Sequence, residues 1–492
     1  MYPRQCINSF MKKLVLIRRF SQTLFLLLFI YILWLTTNTA VFFKIDPLVS
    51  IFSFSALTML VLTFIAGRFF CGWICPLGAI IDICGIKAKS RDFGFRQVKY
   101  YILGFIVIFA FLGIQIAWIF DPLVITARFI SLNFIPFFTI VLDKLFIFLI
   151  KSFNFYTPLY DFYRLLKSSI LGVKIYYFQH SFITLSFFII ICGLVSITKR
   201  FWCRILCPLG AIYALIAKFS ILRRHVDKCM HCMKCNVDCR MSAIKEDSSY
   251  RKEECILCMD CIYGCPDRAT KFTWPAKKNL QSKFFLISRP TGREICKAKD
   301  SISRGDFLFL MASSFLLLGF KSMADGAKKR LIRPPGVTSE REFLNKCIRC
   351  GNCMKICPTN GLQPVIFEPS LAGIWTPHLI PEIGYCEYNC NLCGNVCPTG
   401  AIPKLNLAQK KEQKLGLAYI DKNICIPWSQ NKECIVCEEH CPVPTKAIKT
   451  YDEVFEGKKI KKPYVDASLC VGCGICQNKC PTRPLRAIKV QP

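Results

Sequence analysis

The residues with the clearest chemistry in this chain are cysteines. Six stretches hold four cysteines each at iron–sulfur spacing, and together they use 24 of the 32 cysteines. In the run C-x2-C-x2-C-x3-C-P, three thiolates of one tight loop bind three irons of a [4Fe–4S] cubane, and the fourth cysteine binds the neighbouring cluster. Proline follows the fourth cysteine in five of the six stretches. The spacing therefore predicts six [4Fe–4S] clusters, whose chemistry is electron transfer.

Two of these motifs lie in residues 221–300, a polar and basic stretch that we call the insert. Their members are Cys229, Cys232, Cys235 and Cys239, then Cys255, Cys258, Cys261 and Cys265. From the crossed ligation of two-cluster ferredoxins, we expect Cys265 to complete the cluster of the first motif and Cys239 that of the second. Arg240 stands where the other motifs have proline.

The other four motifs follow one another in the last third of the chain. They are Cys347, Cys350, Cys353 and Cys357; Cys386, Cys390, Cys393 and Cys397; Cys425, Cys434, Cys437 and Cys441; and Cys470, Cys473, Cys476 and Cys480. The gaps between successive motifs are 29, 28 and 29 positions, which indicates a tandem array. Equal gaps leave open whether neighbours pair or the first motif pairs with the fourth. We expect short helices and strands here, because cluster ligation replaces a large apolar core.

A second constellation is a repeat of a different kind. RFFCGWICPLGAI occupies residues 68–80 and RFWCRILCPLGAI occupies residues 200–212. A C-x3-C pair on a helix would place two thiols on one face. If the two copies are related by pseudo-symmetry, their four thiols meet and hold a further metal centre or form redox-active dithiols: Cys71, Cys75, Cys203 and Cys207. The alternative is that these cysteines only pack helix ends, although packing constrains volume more than identity.

Spacing and composition argue against disulfides or zinc as the role of so many cysteines. Disulfide frameworks do not repeat this spacing, and zinc sites usually pair CxxC with a distant CxxC or histidine pair, whereas the chain has only five histidines. The net charge of +33 is not carried on a nucleic-acid-binding motif, so we expect no nucleic-acid partner. With 53% hydrophobic residues and a mean hydropathy of +0.38, part of the chain is expected to lie in a membrane.

Apolar runs predict at least four membrane spans, at residues 24–43, 48–66, 100–120 and 182–197. A fifth run, 129–150, contains Asp143 and Lys144, so the number of spans between residues 120 and 180 stays open. Basic residues flank the runs and predict that these flanks are cytoplasmic: Arg4, Lys12, Lys13, Arg18 and Arg19; Arg68, Lys87, Lys89, Arg91, Arg96 and Lys99; and Lys199, Arg200, Arg204, Arg223 and Arg224.

The predicted fold is a membrane α-helical domain joined to α+β ferredoxin-like polyferredoxin domains. Residues 1–220 form the membrane domain with both CxxxCP motifs, and residues 221–300 form a cytoplasmic two-cluster ferredoxin domain. Residues 301–326 look like an export signal retained as a transmembrane segment. Residues 327–492 form a four-cluster domain that we expect in the periplasm. We therefore expect a multi-pass protein of the bacterial inner membrane.

These motifs carry a resemblance to known families. The first 300 residues, with paired CxxxCP motifs and then two ferredoxin motifs, resemble the NapH family, to which MauN and the polyferredoxin part of NosR are similar. The remainder resembles the NapG and MauM family, with a signal-like segment, LIRPPGV, CIRCGNCMKICP and three further cluster motifs. The chain looks like the two joined end to end. In the signal-like segment Arg304-Gly305 replaces the twin arginines.

The resemblance implies a conduit that oxidises quinol and passes electrons through [4Fe–4S] clusters to a periplasmic reductase or dehydrogenase. The alternative is an assembly factor that reduces a metal or a thiol while a partner enzyme matures. No nucleotide-binding, flavin or molybdenum motif occurs, so no catalytic residue is predicted, and whether the chain is itself an enzyme stays open. His180 and Asp121 are candidates for the quinol site as proton acceptors, or else simply residues of the membrane interface. Four further cysteines fit no spacing and are expected to be structural or incidental: Cys6, Cys84, Cys192 and Cys296.

Overall fold

A computed structural model describes residues 4–35, 43–50, 53–85, 94–111, 114–152, 156–166, 177–227, 229–267, 269–274, 331–366 and 373–492. The signal-like segment 301–326 and Cys296 lie outside the described residues. The chain divides into two compact units. Unit 1 comprises Met1–Tyr31, Val41–Thr126 and Ser186–Phe320, and unit 2 comprises Ile32–Ala40, Ala127–Leu185 and Lys321–Pro492. The predicted membrane domain, residues 1–220, thus contributes to both units.

The first 220 residues are helical. The α-helices are α1 (Arg4–Leu35), α2 (Phe54–Ala66), α3 (Phe69–Trp73), α4 (Pro76–Cys84), α5 (Val98–Phe111), α6 (Pro122–Phe129), α7 (Ile135–Ser152), α8 (Tyr156–Leu166), α9 (Ser181–Gly193) and α10 (Pro208–Ala217). Short 3₁₀ turns occur at Phe95–Gln97, Ala117–Ile119 and Leu194–Ser196, and π-helical turns at Ile130–Phe134 and Trp202–Leu206.

Two described helices are long and apolar enough to cross a bilayer, Leu14–Leu35 and Pro122–Ser152, the second of which includes the π turn. Helix α2 covers only part of the second predicted span, because Ser53 caps its start by accepting a hydrogen bond from the Ala56 amide at 3.1 Å. Helix α5 likewise ends at Phe111, before the third predicted span does. Apolar composition continues through these turns, so hydropathy alone overestimates the helix lengths.

The CxxxCP motifs differ from the expected single helix. Cys71 lies in α3 and Cys203 in a π turn, whereas Cys75 and Cys207 are the N-cap residues of new helices, α4 and α10. Proline causes the break, because it disfavours helical geometry in the residue before it and is well suited to the first position of a helix. The two thiols of each motif therefore flank a helix junction.

The described residues beyond residue 220 form short elements, as expected for cluster-binding domains. In the insert they are β1 (Arg223–Val226), α11 (Lys234–Val237), a 3₁₀ turn (Lys252–Glu254), α12 (Asp260–Tyr263) and β2 (Thr270–Thr273). Beyond it they are α13 (Glu340–Lys346), α14 (Asn352–Ile356), β3 (Leu362–Pro364), β4 (Pro377–Leu379), α15 (Leu392–Asn395), α16 (Leu407–Glu412), β5 (Leu417–Ile420), α17 (Ile426–Ser429), α18 (Val436–Glu439), β6 (Ile448–Phe455), β7 (Lys458–Val465), α19 (Ile475–Lys479) and β8 (Ile488–Gln491).

Antiparallel strand pairs enclose the cluster motifs. Strand β1 precedes the first insert motif and pairs with β2, which follows the second, with Arg224 opposite Phe272. Strand β5 precedes the third C-terminal motif and pairs with β8, which follows the fourth, with Ala418 opposite Val490. The pairs β3–β4 and β6–β7 lie between motifs. Each enclosing pair brings the two ends of a two-motif segment together.

Within unit 2, helical segments from the first half of the chain pack against the C-terminal motifs. Leu132 and Phe178 belong to the same buried apolar cluster as several C-terminal cysteines. The Arg128 guanidinium lies 4.1 Å from the ring centre of Trp375, and its Nε donates to the Arg349 carbonyl at 3.0 Å. The Lys355 ammonium donates to the carbonyl of Trp34, in the last turn of α1, at 2.7 Å. The four-motif region therefore packs on apolar helices.

Candidate metal centres

The insert gathers its cysteines in the crossed pattern. A cavity in the insert is lined by the three leading cysteines of the second motif and the last cysteine of the first: Cys255, Cys258, Cys261 and Cys239. The thiol of Cys235 interacts electrostatically with the other members of the opposite set, Cys229, Cys232 and Cys265. Arg224 in β1 donates to the Cys235 sulfur at 3.6 Å. Each set thus combines three cysteines of one loop with a fourth from its neighbour.

The C-terminal motifs pair as neighbours, which the equal gaps left open. One cavity is lined by the leading cysteines of the second motif and the last of the first: Cys386, Cys390, Cys393 and Cys357. Another is lined by the leading cysteines of the third motif and the last of the fourth: Cys425, Cys434, Cys437 and Cys480. Electrostatic contacts complete the two reciprocal sets, since Cys353 interacts with Cys397, and Cys473 with Cys441.

The environment of these thiols suits ligands of a metal centre better than unligated cysteines. Burial, with a smaller contribution from neighbouring thiols, raises the pKa of Cys350 to about 12 and that of Cys386 to about 11. Four such groups can be thiolates together only if a cationic centre offsets their charge, which the iron ions of a cubane do. Among the described residues, no three His, Cys, Asp or Glu side chains converge as ligands of a single ion. A cubane needs a wider arrangement, because its four thiolates bind different irons.

The last cysteine of each motif has a further polar contact. In four motifs its sulfur accepts a hydrogen bond from a backbone amide a few residues downstream, for example at 3.2 Å from Ala243 to Cys239 and 3.3 Å from Ala269 to Cys265. Cys441 accepts one in the same way from Ala447 at 3.3 Å. In the other two, Cys357 and Cys480, the sulfur contacts the hydroxyl of Thr359 or Thr482. Amide donors to ligand sulfur raise the reduction potential of a cluster. The loops after the first four motifs therefore supply hydrogen-bond donors to the last thiolate.

The two CxxxCP motifs come together in unit 1. All four thiols are buried, and Cys207 interacts electrostatically with the other three: Cys71, Cys75 and Cys203. The leading arginine of each motif reaches into the other copy. Arg200 donates to the Cys71 carbonyl at 2.7 Å, and Arg68 donates to the Cys203 carbonyl at 3.4 Å. The repeat is thus a reciprocal pair around four thiols.

The first CxxxCP loop also contacts a cysteine loop of the insert. Trp73 donates from its indole nitrogen to the Leu257 carbonyl at 3.0 Å. A Cβ at Gly72 would collide with the Ile256 carbonyl. Gly72 and Trp73 lie between Cys71 and Cys75, while Ile256 and Leu257 lie between Cys255 and Cys258. The two cysteine sites therefore have touching loops.

Buried ion pairs hold this contact. Glu254, 2% exposed, receives Arg68 at 3.0 Å and Lys99 at 2.5 Å. Asp82 of α4 pairs with Arg200 at 2.6 Å and with Arg240 of the insert at 3.1 Å. The charge pattern placed Arg68, Lys99 and Arg200 in basic membrane flanks, but the structure buries them against specific carboxylates. No motif marks Glu254 or Asp82, so sequence reasoning missed both.

The remaining candidates are spread over the two units. His180 in unit 2 is exposed, has a backbone φ of 56° and stacks edge-on with Phe182. Asp121 in unit 1 is 1% exposed and lies against Asp46, a second buried carboxyl that sequence reasoning missed. The structure does not bring His180 and Asp121 together in one unit.

Two of the unassigned cysteines meet. The thiol of Cys84, at the end of α4, is hydrogen-bonded to that of Cys192 in α9. Nothing in their spacing of more than a hundred residues signalled this contact. Cys6 belongs to α1, in the stretch whose side chains are not described.

Family models and individual proteins match the chain. A "4Fe-4S binding domain" model matches residues 49–91 and 181–229, which contain the two CxxxCP motifs. A "4Fe-4S dicluster domain" model matches residues 431–483, and another "4Fe-4S binding domain" model matches residues 343–363. The chain therefore carries 4Fe–4S ferredoxin-type domains.

Several curated proteins are similar over about two fifths of the chain. The methylamine utilization ferredoxin-type protein MauM of Methylophilus methylotrophus is 31% identical over 185 residues, 36% of this chain and 80% of that protein. The ferredoxin-type protein NapG of Escherichia coli is 31% identical over 187 residues, 37% of this chain and 79% of that protein. MauM of Paracoccus denitrificans is 28% identical over 200 residues, which is 40% of this chain and 88% of that protein. No solved structure matches the chain. With four fifths of MauM covered at this identity, the chain belongs to the family of ferredoxin-type iron–sulfur electron-transfer proteins that includes MauM and NapG.

Proposed function

We propose that this protein is a membrane-bound electron conduit that takes electrons from quinol and passes them through six [4Fe–4S] clusters to a periplasmic redox enzyme. The observation that carries the proposal is the crossed grouping of 24 cysteines into six sets of four. Bound clusters would supply one-electron transfer, and the protein supplies their spacing, potential and access.

Each proposed cluster uses three leading cysteines of one motif and the last cysteine of its partner. The six sets are Cys229, Cys232, Cys235 and Cys265; Cys255, Cys258, Cys261 and Cys239; Cys347, Cys350, Cys353 and Cys397; Cys386, Cys390, Cys393 and Cys357; Cys425, Cys434, Cys437 and Cys480; and Cys470, Cys473, Cys476 and Cys441. Positive groups beside the sulfurs, such as Arg224 near Cys235, and the downstream amides favour the extra electron of a reduced cluster.

The four CxxxCP thiols are proposed to hold a further metal centre at the electron entrance. Four buried thiols flanked by two buried arginines have little value as packing, because soft thiolates in such a site favour a metal. The match of a 4Fe–4S binding model to both motifs supports this assignment. Gly72 and Trp73 contact the loop of Ile256 and Leu257, which belongs to the second insert motif. This contact supports electron transfer from the CxxxCP centre to the cluster proposed at that motif.

A membrane location is supported by apolar side chains that remain exposed. In the most apolar 18-residue stretch of the helices Leu14–Leu35 and Pro122–Ser152, only 17% and 22% of the residues are buried, which favours contact with lipid over a place in a protein core. Large apolar residues such as Phe20 and Phe137 are two-thirds exposed. Such faces favour contact with lipid. We infer a multi-pass protein of the bacterial inner membrane.

The proposed topology places the four-cluster domain in the periplasm. Basic residues at the start of α1 favour a cytoplasmic N-terminus, so the end of α1 would face the periplasm. The Trp34 carbonyl at that end accepts a hydrogen bond from Lys355, within the first C-terminal motif. In this arrangement residues 1–300 do the work of a NapH-like protein and the remainder that of a NapG-like protein, with residues 301–326 as the connecting span.

Quinol is the proposed donor because a chain of one-electron carriers suits a lipid-soluble donor that can release its two electrons singly. Anaerobic addition of a soluble quinol to the full-length protein in detergent should bleach the visible absorbance of the clusters. The Cys71→Ser variant should lose this response but keep reduction by dithionite, whereas the Cys296→Ser control should keep both. Clusters that respond to dithionite but never to quinol in the unsubstituted protein would overturn the proposed donor and favour a role in enzyme assembly.

A further inference from the structure

Two buried carboxyl groups meet in the interior of unit 1. Asp46 and Asp121 are each 1% exposed. In each side chain, one carboxyl oxygen accepts a hydrogen bond from a backbone amide two residues further along the chain. Asp121 Oδ1 accepts from the Leu123 amide at 2.8 Å at the start of α6, and Asp46 Oδ1 accepts from the Leu48 amide at 2.9 Å. Local turn formation thus accounts for one oxygen of each side chain.

The second oxygen of Asp46 serves no such turn. Among the described residues no donor reaches Asp46 Oδ2, and the side chain within hydrogen-bonding reach of the Asp46 carboxyl group is that of Asp121. Two ionised carboxylates cannot face each other in a buried site, so such pairs share one proton. The pair is therefore a site that can hold, release and take back a proton.

Unpartnered polar groups surround this pair. The Tyr213 hydroxyl is fully buried and has no hydrogen-bond partner among the described residues. Its strongest charge interaction is with Asp46, followed by Cys71 and Cys75. The Trp202 indole N–H is also buried without a described partner, and its ring stacks at 6.3 Å on Phe120, next to Asp121. Buried polar groups normally have partners, so these point to an occupant that both donates and accepts hydrogen bonds.

We propose that Asp46 and Asp121 form the proton-accepting site for the hydroquinone whose electrons enter at the CxxxCP thiols. The inference rests on the proposed function and names the groups that take the protons. Tyr213 interacts electrostatically with Asp46 and with the thiols of Cys71 and Cys75, so we assign it the role of positioning the hydroxyl of the quinol between the proton acceptor and the electron acceptor.

The chemistry balances over one turnover. Oxidation of a hydroquinone breaks two O–H bonds and releases two protons and two electrons. At each step the ionised carboxylate of the pair forms the new O–H bond and then passes its proton to solvent, which leaves the pair ready for the second proton. The two electrons would leave one at a time to the metal centre proposed at Cys71, Cys75, Cys203 and Cys207. Tyr213 interacts electrostatically with both carboxyl groups and also with the thiols of Cys71 and Cys75.

Asparagine substitutions separate proton transfer from turn formation. Asp46→Asn and Asp121→Asn keep an oxygen that can accept from Leu48 and Leu123, so a purely structural role predicts little change. A general base typically contributes about 10²- to 10⁴-fold, so each variant should slow cluster reduction by quinol about 10²-fold. Iron content and reduction by dithionite should be unchanged. Asp143→Asn, in α7 and hydrogen-bonded to the Tyr163 hydroxyl at 2.9 Å, is the matched control and should reduce at the normal rate.

A second readout does not depend on quinol. Infrared spectra of the oxidised protein near neutral pH should show the C=O stretch of a protonated carboxylic acid, and this band should disappear in the Asp46→Asn, Asp121→Asn double variant. Normal quinol rates in both single variants, or the absence of that band in the unsubstituted protein, would overturn this inference alone. Failure of the unsubstituted protein to react with quinol would overturn the proposed function and, with it, the assigned substrate.

Discussion

Replacing Gly72 by alanine adds one carbon where the first CxxxCP loop touches the insert. Real Cβ atoms essentially never approach a heavy atom within 3.0 Å, and this carbon would lie well inside that limit from the Ile256 carbonyl oxygen. The added carbon is fixed to the backbone of the first loop, and the oxygen that it meets belongs to the backbone of the insert loop. The insert loop is also held in place by the hydrogen bond from Trp73 and by the ion pairs of Glu254. The loops must therefore separate rather than let a flexible side chain rotate.

Overpacking of this kind costs about 1–3 kcal/mol. That energy corresponds to about 5- to 150-fold in the equilibrium between the docked and the displaced loop. Alanine is a better helix former than glycine, so helix α3 itself is not weakened. The cost falls on the contact through which we expect electrons to pass.

The assay is anaerobic stopped-flow reduction of the clusters by quinol, with dithionite as the reductant that bypasses the entrance. Gly72→Ala should slow the quinol-driven phase at least about fivefold and leave the dithionite phase and the iron content unchanged. Gly193→Ala is the matched control, because its added carbon meets nothing within 4 Å in a helical position. A Gly72→Ala protein that reduces at the normal rate would refute the assigned electron path.

Other expected outcomes follow from the same geometry. Anaerobic iron and acid-labile sulfide should each be at least about 24 atoms per chain, four per cubane, and about eight would contradict most of the ligand sets. Glu254→Gln should lower the free energy of unfolding by about 3–5 kcal/mol, because it leaves Arg68 and Lys99 buried without a counter-charge. On heating, this variant should lose its clusters at a lower temperature than the unsubstituted protein, whereas the exposed control Glu342→Gln should not. Cys239→Ser should alter the electron paramagnetic resonance signal of the second insert motif rather than the first; loss of only the first would contradict crossed ligation. Reporter fusions at residues 277 and 327 should report opposite sides of the membrane, and a shared side would exclude a span at residues 301–326.

Cysteine spacing was sufficient to predict the candidate ligands, because a cubane loop is a largely local structure. It also anticipated the crossed grouping that the structure has in the insert. It could not decide the pairing of the four C-terminal motifs, because equal gaps allow neighbours or nested pairs. The pairing of β5 with β8, a contact distant in sequence, enclosed the third and fourth motifs together.

Hydropathy was a weaker guide. It located the apolar helices but placed their ends inaccurately, because it does not register a cap such as Ser53, which starts α2 inside a predicted span. The C-x3-C spacing, in turn, suggested that the cysteines of each CxxxCP motif share one helix. The proline starts a new helix instead, so that Cys75 and Cys207 become N-cap residues.

By itself, the sequence determined the kind of chemistry, since four thiolates at cubane spacing have few uses other than iron–sulfur binding. Only the tertiary structure decided which groups meet across long distances in the chain. It joined Arg68 to Glu254 and Asp46 to Asp121, and it brought the two CxxxCP copies together. Buried polar contacts between distant segments leave no periodic signal in a sequence, because each depends on how separately formed helices and loops pack.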